Sequence, residues 1–296
     1  MVKVLVSRRE CDLNIPDDKG NTPLHTACEH GHHSTTQLLA DQKCQLNARN
    51  REGKTPLHTA SEHGNLNSVE VLIGRRECDL NIPDDKGNIP LHTACKYGHY
   101  STVEFLVADQ RCQLDAKNCA MNTPLHIACH TKEMTIIRLL LDRKCSTNIP
   151  NKKGETPLHF ASELGDLDTV KLLVLRSSEK CNLNIADKSG NTPLHIACHT
   201  KALKIVRLLL DMKCSTNIPN KKGETPLHIA SEHGHLDVVK VLVVRGECDL
   251  NIPDERGNIP LHTACKHGHH SIVQLLAADQ RCQLNTKNSE IAVCFC

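Results

Sequence analysis

Histidine and cysteine are the residue types of this chain that are numerous enough to suggest chemistry. The sequence holds 20 His and 17 Cys among 296 residues. Groups of these side chains bind zinc or copper, and a thiol with a lowered pKa acts as a nucleophile or a redox centre. However, the sequence has no Cys-x-x-Cys pair, nucleophile elbow, phosphate-binding glycine loop, zinc-protease helix or kinase signature. The positions at which the two residue types recur must therefore decide their role.

Most of the histidines and cysteines follow an internal repeat. The tetrapeptide Thr-Pro-Leu-His, or its variant Ile-Pro-Leu-His, occurs eight times at intervals of 33 to 36 residues. Its proline stands at positions 23, 56, 90, 124, 157, 193, 226 and 260. This period and motif are typical of ankyrin repeats, and the sequence resembles the ankyrin-repeat family over essentially its whole length. The resemblance implies an all-α fold, an ankyrin-repeat solenoid of helix-turn-helix units with protruding β-hairpin-like loops, and a function in protein binding.

The repeats divide almost the whole chain. Eight complete repeats run over 17–49, 50–83, 84–117, 118–150, 151–186, 187–219, 220–253 and 254–287. Residues 1–16 are interpreted as a partial repeat, because the segment 1–6 aligns with 238–243 in a second helix, and 288–296 as a degenerate C-terminal remnant. We therefore expect an array that is truncated at both ends. Residues 144–159 recur unchanged at 213–228, which indicates duplication of multi-repeat blocks.

The repeat motif also predicts where helices begin and end. Threonine before Pro-Leu-His can cap a helix whose first turn accepts proline. Glycine before that motif, and again after the first helix, suits the positive φ of a tight turn. Met121 departs from the first glycine position, whereas Lys132 and Lys201 depart from the second at an expected cost of roughly 1–2 kcal/mol each. Small side chains are predicted where neighbouring helix pairs approach closely, at Ala27, Ala60, Ala94, Ala128, Ala161, Ala197, Ala230 and Ala264.

The repeat favours a structural role for most histidines and cysteines. The resemblance implies that the motif histidines bridge the threonine hydroxyl and the backbone of the turn, tying adjacent repeats together. These are His25, His58, His92, His126, His159, His195, His228 and His262. First-helix cysteines share their position with Ser61, Ser162 and Ser231, which indicates a need for a small side chain. Cys119, Cys294 and Cys296 lie outside the repeating classes and are the better candidates for reactive thiols.

The resemblance further implies a partner-binding groove lined by the hairpin tips and the exposed end of the first helix of each repeat. On the hairpins the candidate residues are Asp18, Lys19, Asn21, Arg51, Glu52, Lys54, Asp85, Lys86, Asn88, Lys152, Lys153, Glu155, Lys221, Lys222, Glu224, Glu255 and Arg256. On the helices they are Glu29, His30, Glu62, His63, Lys96, Tyr97, Glu163, Leu164, Glu232, His233, Lys266 and His267. Tyr97 and Leu164 are predicted to be exposed anchors.

Two other functions compete with a protein-binding scaffold or adaptor. Hairpin asparagines could be substrates of an intracellular asparaginyl hydroxylase, namely Asn14, Asn47, Asn81, Asn148 and Asn251. The rows of Cys and His could instead sense a metal or a redox change. Because the polar residues repeat with the period, whereas an active site needs one unique convergent cluster, we predict no catalytic residue, no metal ligand and no cofactor.

The composition limits the class of partner. The formal net charge is +2, from 36 basic and 34 acidic residues that are interspersed along the chain, which argues against nucleic acid. Three Phe, two Tyr and no Trp cannot line a track of stacked bases. No stretch approaches the roughly 20 apolar residues of a membrane-spanning helix, and no signal-peptide pattern is found. We expect a protein partner and a reduced, cytoplasmic array, either a monomer or a fragment of a larger multidomain protein.

Overall fold

A computed structural model describes residues 12–42, 44–176, 180–245 and 247–286. Within these ranges the chain forms 16 α-helices and no β-strand. The predicted C-terminal remnant 288–296 and the first 11 residues of the predicted partial repeat lie outside the described residues, as do Cys294 and Cys296. The eight complete repeats thus supply all of the helices that are described below.

The chain divides into two compact units. Unit 1 comprises the described residues up to Ser146, together with Arg176, and unit 2 comprises the other described residues from Thr147 onward. Unit 1 contains helices α1 Pro23–Glu29, α2 His33–Asp41, α3 Pro56–His63, α4 Leu66–Ile73, α5 Pro90–Lys96, α6 Tyr100–Ala108, α7 Pro124–Thr131 and α8 Met134–Asp142. Unit 2 contains α9 Pro157–Glu163, α10 Leu167–Arg176, α11 Pro193–His199, α12 Leu203–Asp211, α13 Pro226–Glu232, α14 Leu236–Val244, α15 Pro260–Lys266 and α16 His270–Ala277.

Each repeat folds into a pair of helices, and the pairs stack within each unit. In unit 1 the first helices α1, α3, α5 and α7 pack one on the next, and so do the second helices α2, α4, α6 and α8. Every first helix begins with its motif proline at the first helical position, where no backbone hydrogen bond is lost. The helix-turn-helix architecture predicted from the repeat is confirmed.

The core of each unit consists of leucine, isoleucine, valine, alanine and cysteine. Motif leucines such as Leu57 and Leu91 are completely buried, and each such burial stabilises the fold by about 1.5–3 kcal/mol. All eight alanines predicted at the close approaches are buried, with an exposed fraction of at most 3%. The small side chains predicted at the close approaches therefore lie in the core.

Backbone conformation accounts for the glycine positions. Gly20 has a φ of +81°, and a Cβ atom placed there would lie 2.8 Å from the backbone nitrogen of Arg51 in the next repeat. Both the turn and the close approach therefore require glycine. Met121, Lys132 and Lys201 keep the positive φ of the glycines that they replace, at 59°, 59° and 57°. Lys144 and Lys213 also have positive φ, which the repeat pattern did not predict.

Candidate functional site

The hairpin tips, defined here as residues 17–20, 50–53, 84–87, 118–121, 151–154, 187–190, 220–223 and 254–257, are shaped by their first residue. The Asp17 Oδ1 atom accepts hydrogen bonds from the backbone nitrogens of Lys19 and Asn21, both at 2.8 Å. This is the local side-chain turn that Asp and Asn favour. Within each unit, consecutive tips are then joined by backbone bonds, such as the one from Arg51 N to Lys19 O at 3.0 Å. The exposed side chains of neighbouring tips are therefore held in a fixed register.

The motif histidines join each repeat to the next one. His25 Nδ1 accepts from Thr22 N at 3.1 Å and faces the Thr22 hydroxyl at 2.9 Å, while its Nε2 lies 3.0 Å from the backbone oxygen of Lys54. A carbonyl oxygen only accepts, so Nε2 carries the proton and the ring is neutral. The same bridge occurs at His58, His92, His159, His195 and His228. The predicted structural role is confirmed at these six positions, although isoleucine stands in place of the threonine before His92. It is wrong at His262, whose buried Nε2 has no hydrogen-bond partner among the described residues.

One groove segment in unit 1, the unit 1 cavity, encloses about 420 Å³ between the tips 50–53 and 84–87 and the ends of α3 and α5. The candidate residues that line it are Arg51, Glu52, Lys54, Glu62, Asp85, Lys86, Asn88, Lys96 and Tyr97. Asp84, His92, Thr93 and Ile127 complete its lining. Nine sequence-predicted residues are thus brought together around one cavity.

One lysine of the unit 1 cavity is bound by two carboxylates. Lys54 Nζ lies 2.8 Å from Glu52 Oε2 and 2.7 Å from Glu62 Oε2. Partial burial opposes the charge of Lys54, but hydrogen bonds to these two carboxylates raise its pKa above the usual range. The Tyr97 hydroxyl donates to Glu62 Oε1 at 2.9 Å, and Lys96 Nζ lies 5.0 Å from the centre of the Tyr97 ring. Tyr97 is 45% exposed, so an aromatic ring is held in place at the edge of the cavity.

A second segment, the unit 2 cavity, encloses about 630 Å³ between the tips 187–190 and 220–223 and the ends of α11 and α13. Of the candidate residues it contains Lys221, Lys222, Glu224, Glu232 and His233. Lys188, Ser189, Asn191, His195, Ile196, His199, Asn220 and Ile229 also line it. Its adjoining space of about 340 Å³ is lined by Lys222 together with Glu255, Arg256, Lys266 and His267.

Comparison with known proteins decides the family. A family model that describes three ankyrin repeats matches overlapping segments at 1–84, 37–118, 91–187, 132–220, 175–254 and 211–288. The chain belongs to the ankyrin-repeat family. The crystal structure of the ankyrin repeat domain of Bcl-3, described as a unique member of the IkappaB protein family, is similar with a TM-score of 0.68 and 27% sequence identity. The similarity covers 77% of this chain and all of that domain. No curated protein matches by sequence.

Membership of the ankyrin family indicates a general class of function. Ankyrin repeats are generally protein–protein interaction modules, and both the family and the fold are typically non-enzymatic. In total, 584 solved chains match the structure, so the ankyrin frame by itself does not name a partner. In the described part of the chain, no helix has the length and apolar character to cross a membrane.

Several candidate residues lie away from the three cavities of this ankyrin groove. The following candidate residues are exposed and line neither the unit 1 cavity, the unit 2 cavity nor its adjoining space: Asp18, Lys19, Glu29, His30, His63, Lys152, Lys153 and Glu163. Leu164 was expected to be exposed, and this expectation is wrong. Its side chain is half-buried directly after the last turn of α9, where its backbone N–H donates to the Phe160 carbonyl. Asn21 is half-buried and accepts from the Asn50 amide at 2.8 Å, which links two hairpins.

The candidate residues omitted part of the floor of the ankyrin groove. Ile127, Ile196 and Ile229 each follow the motif histidine directly and line a cavity. Aligning that position across the repeats would have identified them. Lys188 and Ser189 occupy the same tip positions as Lys221 and Lys222, so the period also contained the signal for them.

The asparagine side chains proposed as hydroxylase substrates and the cysteine thiols proposed as metal or redox sensors are used in packing. The Asn47 amide donates to Glu77 O at 2.7 Å and its Oδ1 accepts from Asp79 N at 3.0 Å, so this side chain joins two ankyrin hairpins. Burial raises the pKa of the Cys28, Cys78 and Cys112 thiols to about 12. Among the described residues, no group of three or more Cys, His, Asp or Glu is placed to hold a metal ion.

Proposed function

We propose that this chain is a scaffold or adaptor that binds a partner protein through the groove between its hairpin tips and the ends of its first helices. The observation that carries this proposal is Tyr97, a ring that is 45% exposed yet fixed by Glu62 and Lys96 at the edge of the unit 1 cavity. Aromatic residues are enriched among the few that dominate binding energy. A ring already held in place loses less entropy on binding.

The surrounding cavity supports the same function. Hydrogen bonds between consecutive tips keep the polar rim in register, while the floor is made by the buried first helices. A partner therefore contacts side chains that differ from one repeat to the next, on a backbone frame that is similar in each repeat.

We further propose that the protein works in the cytoplasm as a monomeric array and is not an enzyme. None of its 14 described cysteines is in a disulfide, which suits a reducing compartment.

The chain offers a matched control for testing this proposal. Tyr100 in α6 is 40% exposed, close to the exposure of Tyr97, but lies in a second helix outside the unit 1 cavity. The wild-type protein, Tyr97→Ala and Tyr100→Ala are each immobilised, and the cellular proteins that they retain are quantified by mass spectrometry. We expect Tyr97→Ala to lose partners that Tyr100→Ala keeps.

Equal retention by all three proteins would overturn the assignment of the groove, and so would equal loss from both variants. Circular dichroism of each variant shows whether the helices are intact. A second variant, Lys96→Glu, removes the cation beside the ring and keeps the ring itself. It is expected to weaken capture of the partners that Tyr97→Ala loses.

A further inference from the structure

The unit 2 cavity differs from the unit 1 cavity in its balance of charge, because three lysines and two glutamates line it, whereas four cations and four carboxylates line the unit 1 cavity. Lys54 in the unit 1 cavity is bound by two carboxylates. In the described part of unit 2 the ion pairs lie outside the cavity, at Asp168–Lys171, Asp211–Arg245, Lys213–Glu247 and Asp279–Arg281. Lys188, Lys221 and Lys222 line the cavity, are exposed and take part in none of these pairs. Three ammonium groups are thus available to an incoming anion.

The carboxylates of the unit 2 cavity do not balance these cations. Glu224 and Glu232 are the acidic residues of its lining. Glu224 Oε2 already accepts a hydrogen bond from the Asn220 side-chain amide at 3.0 Å, which holds that carboxylate against its own hairpin. The rim therefore has an excess of positive charge that attracts an acidic partner.

The floor of the unit 2 cavity is aliphatic. Ile196 in α11 and Ile229 in α13 are its aliphatic lining residues, and one wall is formed by His199 and His233, whose ring centres are 4.5 Å apart in an edge-to-face arrangement. His233 Nδ1 donates to the backbone oxygen of Ile229 at 3.0 Å, so this wall is held to α13. No Phe or Tyr lines the cavity, which gives stacked bases no platform.

We propose that the unit 2 cavity binds an extended acidic segment of a partner protein, with carboxylates at Lys188, Lys221 and Lys222 and an aliphatic side chain over Ile196 and Ile229. This inference rests on the proposed function and specifies the chemistry of the partner. Long-range attraction to the lysines raises the rate of encounter. Burial of the aliphatic side chain against the isoleucines then slows dissociation.

The probes are labelled peptides with the core Glu-Glu-Leu-Glu-Glu, its uncharged counterpart Gln-Gln-Leu-Gln-Gln and its basic counterpart Lys-Lys-Leu-Lys-Lys. Their binding to the full chain is measured by fluorescence anisotropy at low and high salt. We expect the acidic peptide to bind most tightly. Its affinity should fall with salt, because exposed charges are screened.

Two sets of variants locate the binding site. The triple variant Lys188→Glu, Lys221→Glu, Lys222→Glu is expected to weaken the acidic peptide about tenfold or more, since each tenfold corresponds to about 1.4 kcal/mol. The control is Lys152→Glu with Lys153→Glu. Those lysines lie in a tip of identical sequence within 144–159 but do not line the unit 2 cavity. The control should bind the peptide as the wild-type protein does.

The floor is tested separately with Ile196→Thr and Ile229→Thr, because threonine already occupies this position at Thr59, Thr93 and Thr263. We expect roughly a fifteenfold loss of affinity for the leucine peptide at each position, because threonine lacks two carbons of isoleucine and each contributes ~0.8 kcal/mol when buried. A Glu-Glu-Gly-Glu-Glu peptide should show no such loss.

Equal weakening by the two lysine variants would overturn the inference, and so would tighter binding of a labelled single-stranded DNA through the same lysines. If the acidic peptide does not bind while Tyr97→Ala still abolishes partner capture, the inference fails and the proposed function stands. If Tyr97→Ala captures partners as the wild-type protein does while the acidic peptide binds, the proposed function fails and the inference about the unit 2 cavity stands.

Discussion

His92 Nε2 lies 2.9 Å from the backbone oxygen of Asn122, the residue before the capping threonine of the next repeat. The imidazole is 1% exposed and donates to that oxygen, while its Nδ1 accepts from Ile89 N at 3.3 Å. A second proton on the ring would face a backbone donor, so the buried bridge requires the neutral form. Burial accordingly lowers the pKa of His92 from 6.5 to about 4.

We predict that the protein loses stability as the pH falls from about 6.5 to about 4. Burial lowers the pKa of His195 to about 4 as well, and that of His25, His58, His159 and His228 also lies below 6.5. The unfolded chain binds more protons in this window, so the free energy of unfolding is highest above pH 6.5 and decreases as the solution is acidified. For His92 alone the change is on the order of 3 kcal/mol.

Urea unfolding at several pH values checks this prediction. His92→Asn should reduce the free energy of unfolding at pH 7.5, because the bridge to Asn122 is lost, and should flatten the dependence on pH. His63→Asn is the control, since His63 is exposed and contacts its own helix at Thr59 O. Identical slopes for the wild-type protein and His92→Asn would contradict the account of the bridge.

Substitution of cysteine for a buried serine is expected to stabilise the fold. The hydroxyls of Ser61 and Ser231 are fully buried and have no hydrogen-bond partner among the described residues. Cys95 fills the equivalent position in its repeat and is also fully buried. Ser61→Cys or Ser231→Cys should raise the free energy of unfolding by about 1 kcal/mol, because an unsatisfied hydroxyl is removed from the core. Ser189→Cys, at an exposed tip, should leave the urea midpoint unchanged.

Glycine at Lys201 is expected to relieve backbone strain. Lys201 has a φ of 57° at the position where Gly31 has 67°. Lys201→Gly should raise the melting temperature, because the left-handed conformation costs a non-glycine residue roughly 1–2 kcal/mol, which exceeds the added entropy of the unfolded chain. Lys240→Gly in the interior of α14 should lower the melting temperature, since glycine is about 1 kcal/mol less favourable than alanine in a helix. An equal decrease in both variants would contradict the strain at Lys201.

Thiol labelling should discriminate sharply between cysteines. Cys119 is exposed at a hairpin tip, whereas Cys95 and Cys198 are fully buried and burial raises the pKa of both thiols well above the usual value. Because the thiolate is the reactive form, a brief treatment of the native protein with iodoacetamide should modify Cys119 before the buried thiols. Peptide mapping by mass spectrometry measures the order. Similar labelling of Cys119 and Cys95 in the native state would show that the helix pairs open readily.

The sequence repeats allowed most of the fold to be predicted. The proline of each motif fixed the first residue of eight helices, and the glycines marked the turns. The positive φ at Lys144 and Lys213 was missed because glycine stands at this position in one other repeat only, at Gly246, so the residue types gave no repeating signal. The contact of Lys54 with Glu62 and of Glu62 with Tyr97 was also out of reach. It depends on which side-chain rotamers meet across two repeats, and the period does not encode rotamers.

The candidate site was predictable as a set of positions but not as a set of interactions. Arg51, Lys86 and Tyr97 were all identified, since they stand at variable places in the repeat and line the unit 1 cavity. Ile196 was not, because the candidates were taken from the hairpin tips and the exposed end of the first helix, and Ile196 lies in the middle of α11. Its half-buried side chain contributes to the helix packing and also forms the floor of the unit 2 cavity.

The histidine bridges give each unit a direction. His25 donates to Lys54, His58 to Asn88 and His92 to Asn122, always from one repeat to the hairpin that follows it in the chain. A lesion in a hairpin backbone consequently deprives the imidazole on its N-terminal side of an acceptor, while the next hairpin toward the C-terminus keeps its own donor. A change in one hairpin therefore removes a hydrogen bond from the repeat on its N-terminal side but not from the repeat on its C-terminal side. The two neighbours of a substituted repeat are thus affected differently.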